Sequence, residues 1–305
     1  MASITEAANP PARPLDFFAI LIILLLCLSW GVNTVMVKLT LAEIPPLMQA
    51  TARSIGGFVI VLILSYVRGV PLFRRDGTLG AGLLMGTVFA LEFVVIFVGL
   101  MYTTASRAVI FMYTAPFFVA FGAVNLLGER LRAEQWAGLA LAFLGIVVAI
   151  GVPQPDVDAN VLFGDMLLIL GALGWGGTTL IFKMSNLSKA PPEKTLIYQT
   201  GISAPVLALG SFFTGEALTK MPGAIALGSL TYQTVWVVGV TFLLWYALMK
   251  TYAASKLTAF TFITPLFGVA AGHIFLNEPI SAAFAVAVAF VIAGLFLVNK
   301  PKRGA

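Results

Sequence analysis

Glu92 interrupts the apolar run Ala90-Leu91-Glu92-Phe93-Val94. A carboxylate in apolar surroundings is costly unless something compensates it, so its chemistry is to bind an ammonium group or to exchange a proton. A third reading is an ion pair with Arg53, the one cation inside another apolar run; alone, Arg53 could hold an anion or snorkel to a nearby interface. Trp30 and Trp175 also sit deep in apolar runs, where an indole offers an apolar face for stacking and one N–H donor. Asn33, Thr34, Thr178 and Thr179 fall within one helical turn of them and add hydrogen-bonding groups. The competing use of both indoles is packing beside Gly31 and Gly176. Tyr113, Trp245 and Tyr246 are further candidates of the same aromatic kind. One cysteine, Cys27, excludes an internal disulfide and a multi-cysteine metal site, and one histidine, His273, leaves little for metal or triad chemistry. His273 is read as a packing or interface residue, with a gate or proton role as the alternative.

The elements that must carry these residues are membrane helices. Sixty per cent of the 305 residues are hydrophobic and 10% charged, against about 25% charged in soluble domains. Apolar runs between turn signals predict ten spans: 15–37, 46–67, 79–101, 106–127, 134–151, 162–184, 194–214, 233–253, 256–276 and 280–298. Runs such as Ile20 to Leu28 do not alternate, which argues against barrel strands. The first run follows a Pro-rich tail with one cation and reads as a retained helix. With the N-terminus inside, the inner loops hold fourteen Lys and Arg and the outer loops three, Lys38, Arg107 and Lys220, while Arg53 within span 2 completes the eighteen. That bias places both termini in the cytoplasm. The net charge of +5 is scattered over loop ends and does not mark a nucleic-acid surface.

The chain repeats itself. At an offset of 145, Trp30-Gly31, Thr34 and Lys38 return as Trp175-Gly176, Thr179 and Lys183. At 149, Ala105-Ser106, Phe111, Pro116, Phe118, Leu127 and Glu129 return as Ala254-Ser255, Phe260, Pro265, Phe267, Leu276 and Glu278. Five spans per half is an odd number, so the second half enters the membrane inverted, the arrangement of many secondary transporters. The predicted organisation is a cytoplasmic tail 1–14, a first five-helix repeat 15–151, a periplasmic linker 152–161, a second repeat 162–298 and a cytoplasmic tail 299–305. Pro116 and Pro265 should bend spans 4 and 9 by freeing the carbonyls of Met112 and Thr261, either as hinges or as static kinks. Glu129 and Glu278 should act structurally, accepting from the exposed N–H groups of the next helix. Lys38 and Lys183 should lie at membrane edges in a shared, unspecified role.

The doubled Trp-Gly, the Ala-Ser junctions, the paired prolines and the closing Leu-x-Glu resemble EamA-type members of the drug/metabolite transporter superfamily, and within it the bacterial aromatic amino-acid exporters. The resemblance covers nearly the whole chain. It implies an all-α, ten-helix inner-membrane carrier in a 5+5 inverted repeat that exports amino acids or similar metabolites through a cavity lined by spans 1, 3, 4, 6, 8 and 9. Apart from the resemblance, the expected partners are a small-molecule substrate and the lipid bilayer, with no cofactor, metal or nucleic acid, and a monomer is one option for the oligomeric state. No Gly-x-x-x-x-Gly-Lys-Ser/Thr loop is present to hold ATP. A phosphate-ester carrier would want several cations at depth, and an enzyme would need a converging catalytic set. Export of lipophilic cations at Glu92 is the alternative substrate class. Facilitated diffusion and proton exchange both remain open as the driving mode.

Overall fold

The computed structural model describes residues 13–151 and 158–300. The ends of both predicted tails and residues 152–157, the first part of the predicted linker, lie outside the described residues. Nine helices among the described residues are long and apolar enough to cross a bilayer, and a tenth, Ala283–Asn299, is one residue shorter than the shortest of them. At 1.5 Å per residue it still reaches about 25 Å. Large apolar side chains such as Leu25, Leu91, Leu144, Leu170 and Ile292 are exposed along the middle of the spans, as they are where a bundle faces lipid rather than water. The protein is a multi-pass, all-α membrane protein.

Three spans depart from their predicted form. Span 8 begins at Ala224, nine residues before the predicted start, and carries a π-helical stretch over Tyr232–Thr241. Span 4 is two helices, Ala105–Met112 and Ala115–Leu126, and span 9 runs Ala254–Phe260, a 3-10 turn Thr261–Ile263, then Thr264–Leu276. Pro116 and Pro265 are therefore not kinks within continuous helices. Each opens the second segment of its span, a position where the missing N–H has no partner to lose. Thr114 covers the break in span 4 by donating its hydroxyl to the Phe111 carbonyl at 2.6 Å.

Packing exchanges the halves pairwise. Span 1 lies on span 9 and span 6 on span 4; span 3 lies on spans 6 and 7, and span 8 on spans 1 and 2. Spans 2 and 7, and spans 5 and 10, pair with their own counterparts. Every one of these pairings maps onto another, or onto itself, when spans 1–5 are exchanged for spans 6–10. The repeated glycines sit where halves meet: a Cβ on Gly31 would stand 2.5 Å from the Phe267 Cβ and 2.8 Å from the Gly268 nitrogen, and one on Gly176 would stand 3.1 Å from the Phe118 Cβ. Gly31→Ala meets backbone that cannot yield and should cost about 1–3 kcal/mol, whereas Gly176→Ala should cost less. Thermal melting of the two variants in detergent checks the order.

The pair formed by spans 2 and 7 is clasped at both ends. On the face that carries both ends of the described chain, Arg68 pairs with Glu193, and the buried Lys194 ammonium donates to both oxygens of Asp76 at 2.8–2.9 Å and to the Arg74 carbonyl. On the other face Glu216 accepts from the Leu47 and Met48 N–H groups at the start of span 2. Lys194 and the Thr78 hydroxyl, donating to the Asp76 carboxylate, hold its pKa down to about 2. A depressed carboxylate stabilises above its ordinary pKa of about 4 and loses that contribution as pH falls through its folded value. The 68–78 loop should hence loosen between about pH 4 and pH 2, and Asp76→Asn should remove that acid-sensitive step from hydrogen exchange of the loop.

Candidate functional site

Two aromatic pairs, each built on one of the repeated tryptophans, lie inside the bundle. Trp30 meets Trp245 edge to face, with ring centroids 5.4 Å apart, and its indole N–H donates to the Thr241 hydroxyl at 2.9 Å. Phe242 closes on the same indole at 6.4 Å. Trp175, of the second half, meets Tyr113 of the first edge to face at 5.9 Å. Neither tryptophan is fully buried. The glycine beside each one packs against the opposite half at Phe267 or Phe118. Packing and presentation are therefore divided between neighbours: the glycine fits the helices together, and the tryptophan one residue before it turns toward spans 8 or 4.

Glu92 is buried, and its Oε2 is enclosed without a hydrogen-bond partner. Its Cβ is 3.1 Å from where a Cβ of Gly174 would stand, so the glycine beside Trp175 is what lets spans 3 and 6 close around it. The ion pair with Arg53 does not form: that guanidinium lies over the Phe93 ring at 5.1 Å, one residue along span 3 and so on a different side of the helix. Thr241, the partner of Trp30, stands 149 residues after Glu92. The repeat thus has a neutral hydroxyl in one half where the other half has an acid.

The remaining predicted residues take distinct places. Asn33 has its side-chain oxygen enclosed and unpartnered. Thr178 donates to the Trp175 carbonyl at 2.8 Å, which satisfies it within its own helix, and Thr179 is buried. The Tyr246 hydroxyl donates to Gln199 at 2.6 Å, and its ring lies 5.0 Å from Phe182, away from the Trp30 pair. His273 Nδ1 is 2.7 Å from the Glu278 carbonyl at an exposed helix end. Glu129 and Glu278 do not bond to the next helix in sequence. Glu129 reaches the first N–H groups of span 9, Ala254 at 2.8 Å and Ser255 at 3.4 Å, and accepts from the Ser255 hydroxyl; Glu278 pairs with Lys38. The exchange of halves brings span 9, rather than span 5, to the end of span 4.

Sequence reasoning missed Thr241, Gln199 and the buried pair Arg107–Asp165. In that pair the guanidinium holds both oxygens of Asp165 between spans 4 and 6, with the Thr103 hydroxyl donating at 2.8 Å. The signal was present, since Asp165 is an acid inside the apolar run of span 6 and such residues call for a partner.

A helical bundle with its two inverted halves exchanged around paired aromatics is the architecture of a membrane carrier. The chain belongs to the EamA-like transporter family, whose pattern matches twice, over residues 17–151 and 162–300. It is 25% identical to a probable amino-acid metabolite efflux pump of Escherichia coli over 90% of this chain and 92% of that one. It is 26% identical to the uncharacterized transporter YvbV of Bacillus subtilis, with 93% and 92% covered. A solved crystal structure superposes with a TM-score of 0.76 at 21% identity, covering 91% of this chain and 94% of the other, and shares the fold.

Proposed function

We propose that the protein exports amino acids, aromatic and other neutral ones first among them, or related small metabolites, across the bacterial inner membrane by alternating access. The observation that carries this reading is an aromatic pair on each repeated tryptophan, Trp30 with Trp245 and Trp175 with Tyr113, each joining a span of one half to a span of the other. Edge-to-face partners fix each indole and leave an apolar face for a substrate side chain. Similarity to a probable amino-acid metabolite efflux pump supports the substrate class. The bias of Lys and Arg toward one set of loops supports termini in the cytoplasm, and the position of Pro116 and Pro265 at the start of the second segments of spans 4 and 9 supports their use as hinges. The protein acts as a monomer.

Glu92 supplies the coupling. With Arg53 lying on Phe93, its Oε2 has no hydrogen-bond partner among the described residues, so the carboxylate takes a proton when enclosed and yields it when exposed. The same observation favours a second reading, export of lipophilic cations, since an acid among aromatics also suits a cation. Counterflow of radiolabelled phenylalanine, leucine, lysine and a tetraphenyl cation in proteoliposomes separates the two. Neutral amino acids should exchange; exchange of the tetraphenyl cation alone would favour the second reading, and no exchange of any of the four would reject both.

A further inference from the structure

The two repeated lysines and the two repeated glutamates meet across the halves. Lys38, at the end of span 1, pairs with Glu278, at the end of span 9. Lys183, at the end of span 6, and Glu129, at the end of span 4, converge on the junction before span 9: the Lys183 ammonium donates to the Tyr252 carbonyl at 2.6 Å, and Glu129 takes the N–H groups of Ala254 and Ser255 and the Ser255 hydroxyl. Offsets of 145 and 149 make these equivalent residues at opposite ends of the bundle.

Their states differ. On the face that carries the chain ends, three helix ends are tied together and both charged side chains are half-buried. On the other face Lys38 is exposed, with its side chain 65% in solvent, and Glu278, partly buried as Glu129 is, pairs with that ammonium. The helix starts differ in the same sense. Span 9 has no capping side chain at Ala253, and Glu129 caps it from across the bundle; span 4, its equivalent, is capped by its own Thr104, whose hydroxyl accepts from the Arg107 N–H at 3.3 Å. A foreign carboxylate at a helix start is held by the unpaired N–H groups and the positive end of the helix dipole, and is released without breaking the helix.

The geometry points to a pair of alternating latches: Glu129 with Lys183 closes the face of the chain ends, and Glu278 with Lys38 closes the opposite face, one latch assembling as the other opens. This rests on the alternating-access reading. An inverted repeat reaches its second state when each half takes the arrangement of the other. In that state Glu278 caps span 4 at Ala105 and Ser106 in place of Thr104, Lys38 donates to the carbonyl of Thr103, and Glu129 and Lys183 become an exposed ion pair. The structure described here has the latch at the chain-end face assembled.

The test is distance measurement between spin labels on the purified protein in nanodiscs, without substrate, after replacing the buried Cys27 by Ala. Labels at Arg130→Cys and Lys256→Cys report one face, and labels at Tyr102→Cys and Ile280→Cys report the other. Glu129→Gln should lower the closed population of the chain-end face at least threefold while the opposite face closes. Glu278→Gln should move both distances the other way. Unchanged distances in both variants, or both faces opening together in either, would overturn the latches. Because no substrate is added, the result stands apart from whether amino acids are carried; a monodisperse elution profile and an unaltered melting point show that each variant is folded.

Discussion

Glu92→Gln should leave counterflow intact and abolish accumulation driven by a pH gradient. Counterflow needs only a site that alternates, and glutamine fills the volume of the neutral acid while offering the enclosed Oε2 position an oxygen or an amide. Accumulation needs a proton to move with each cycle. A tenfold proton gradient is worth about 1.4 kcal/mol, so exchange of one proton per substrate gives about a tenfold concentration ratio across the membrane for each pH unit imposed. In the variant that ratio should fall to one, and the initial rate should cease to vary with pH. Proteoliposomes with an imposed gradient measure both. Glu92→Asp is the informative companion: it keeps the acid but draws it back by one methylene, so it should retain the gradient response at a reduced rate. A glutamine variant that still accumulates substrate about tenfold per pH unit would remove Glu92 from the coupling.

The ten helices were legible because each is a long apolar run and the basic loops alternate with them; the family was legible because its motifs occur twice. The breaks were half legible. Proline marked where spans 4 and 9 depart from regularity, but whether a proline bends a helix or begins a new one depends on the residues before it, and Thr114 covers the break through its own hydroxyl. The site was legible as residue types and not as partners. Trp30 stood out by depth, yet nothing in the local sequence tied it to Thr241, 211 residues away. The same limit explains the glutamates. Glu129 sits four residues before span 5, so a cap on the next helix was the local expectation, and only the exchange of halves brings Ala254 to it instead. Arg107 stands in the first turn of span 4, at a span end as its sequence position implies, and what the sequence does not show is that it turns onto Asp165 of span 6.

That buried arginine is the basis of the largest stability effect expected. Its guanidinium and the Asp165 carboxylate are nearly enclosed, with side chains 11% and 6% exposed, and span 4's first segment meets span 6 there. Arg107 also lies 5.7 Å from the Phe111 ring. Removing one member of a buried pair leaves the other charge desolvated, which costs about 3–5 kcal/mol. Asp165→Ala should therefore lower the melting temperature in detergent far more than Glu278→Ala, whose partner Lys38 is mostly in solvent and whose ion pair is worth at most about 1 kcal/mol. The double variant Arg107→Leu with Asp165→Leu decides what the pair is for. Apolar residues of similar bulk remove both desolvation costs, so most of the lost stability should return. Transport should not return with it if the pair's role is to hold the first half of span 4 to span 6 while the second half swings about the break at Tyr113 and Thr114, because leucines pack without fixing direction. A double variant as active as the parent would make the ion pair a matter of stability alone.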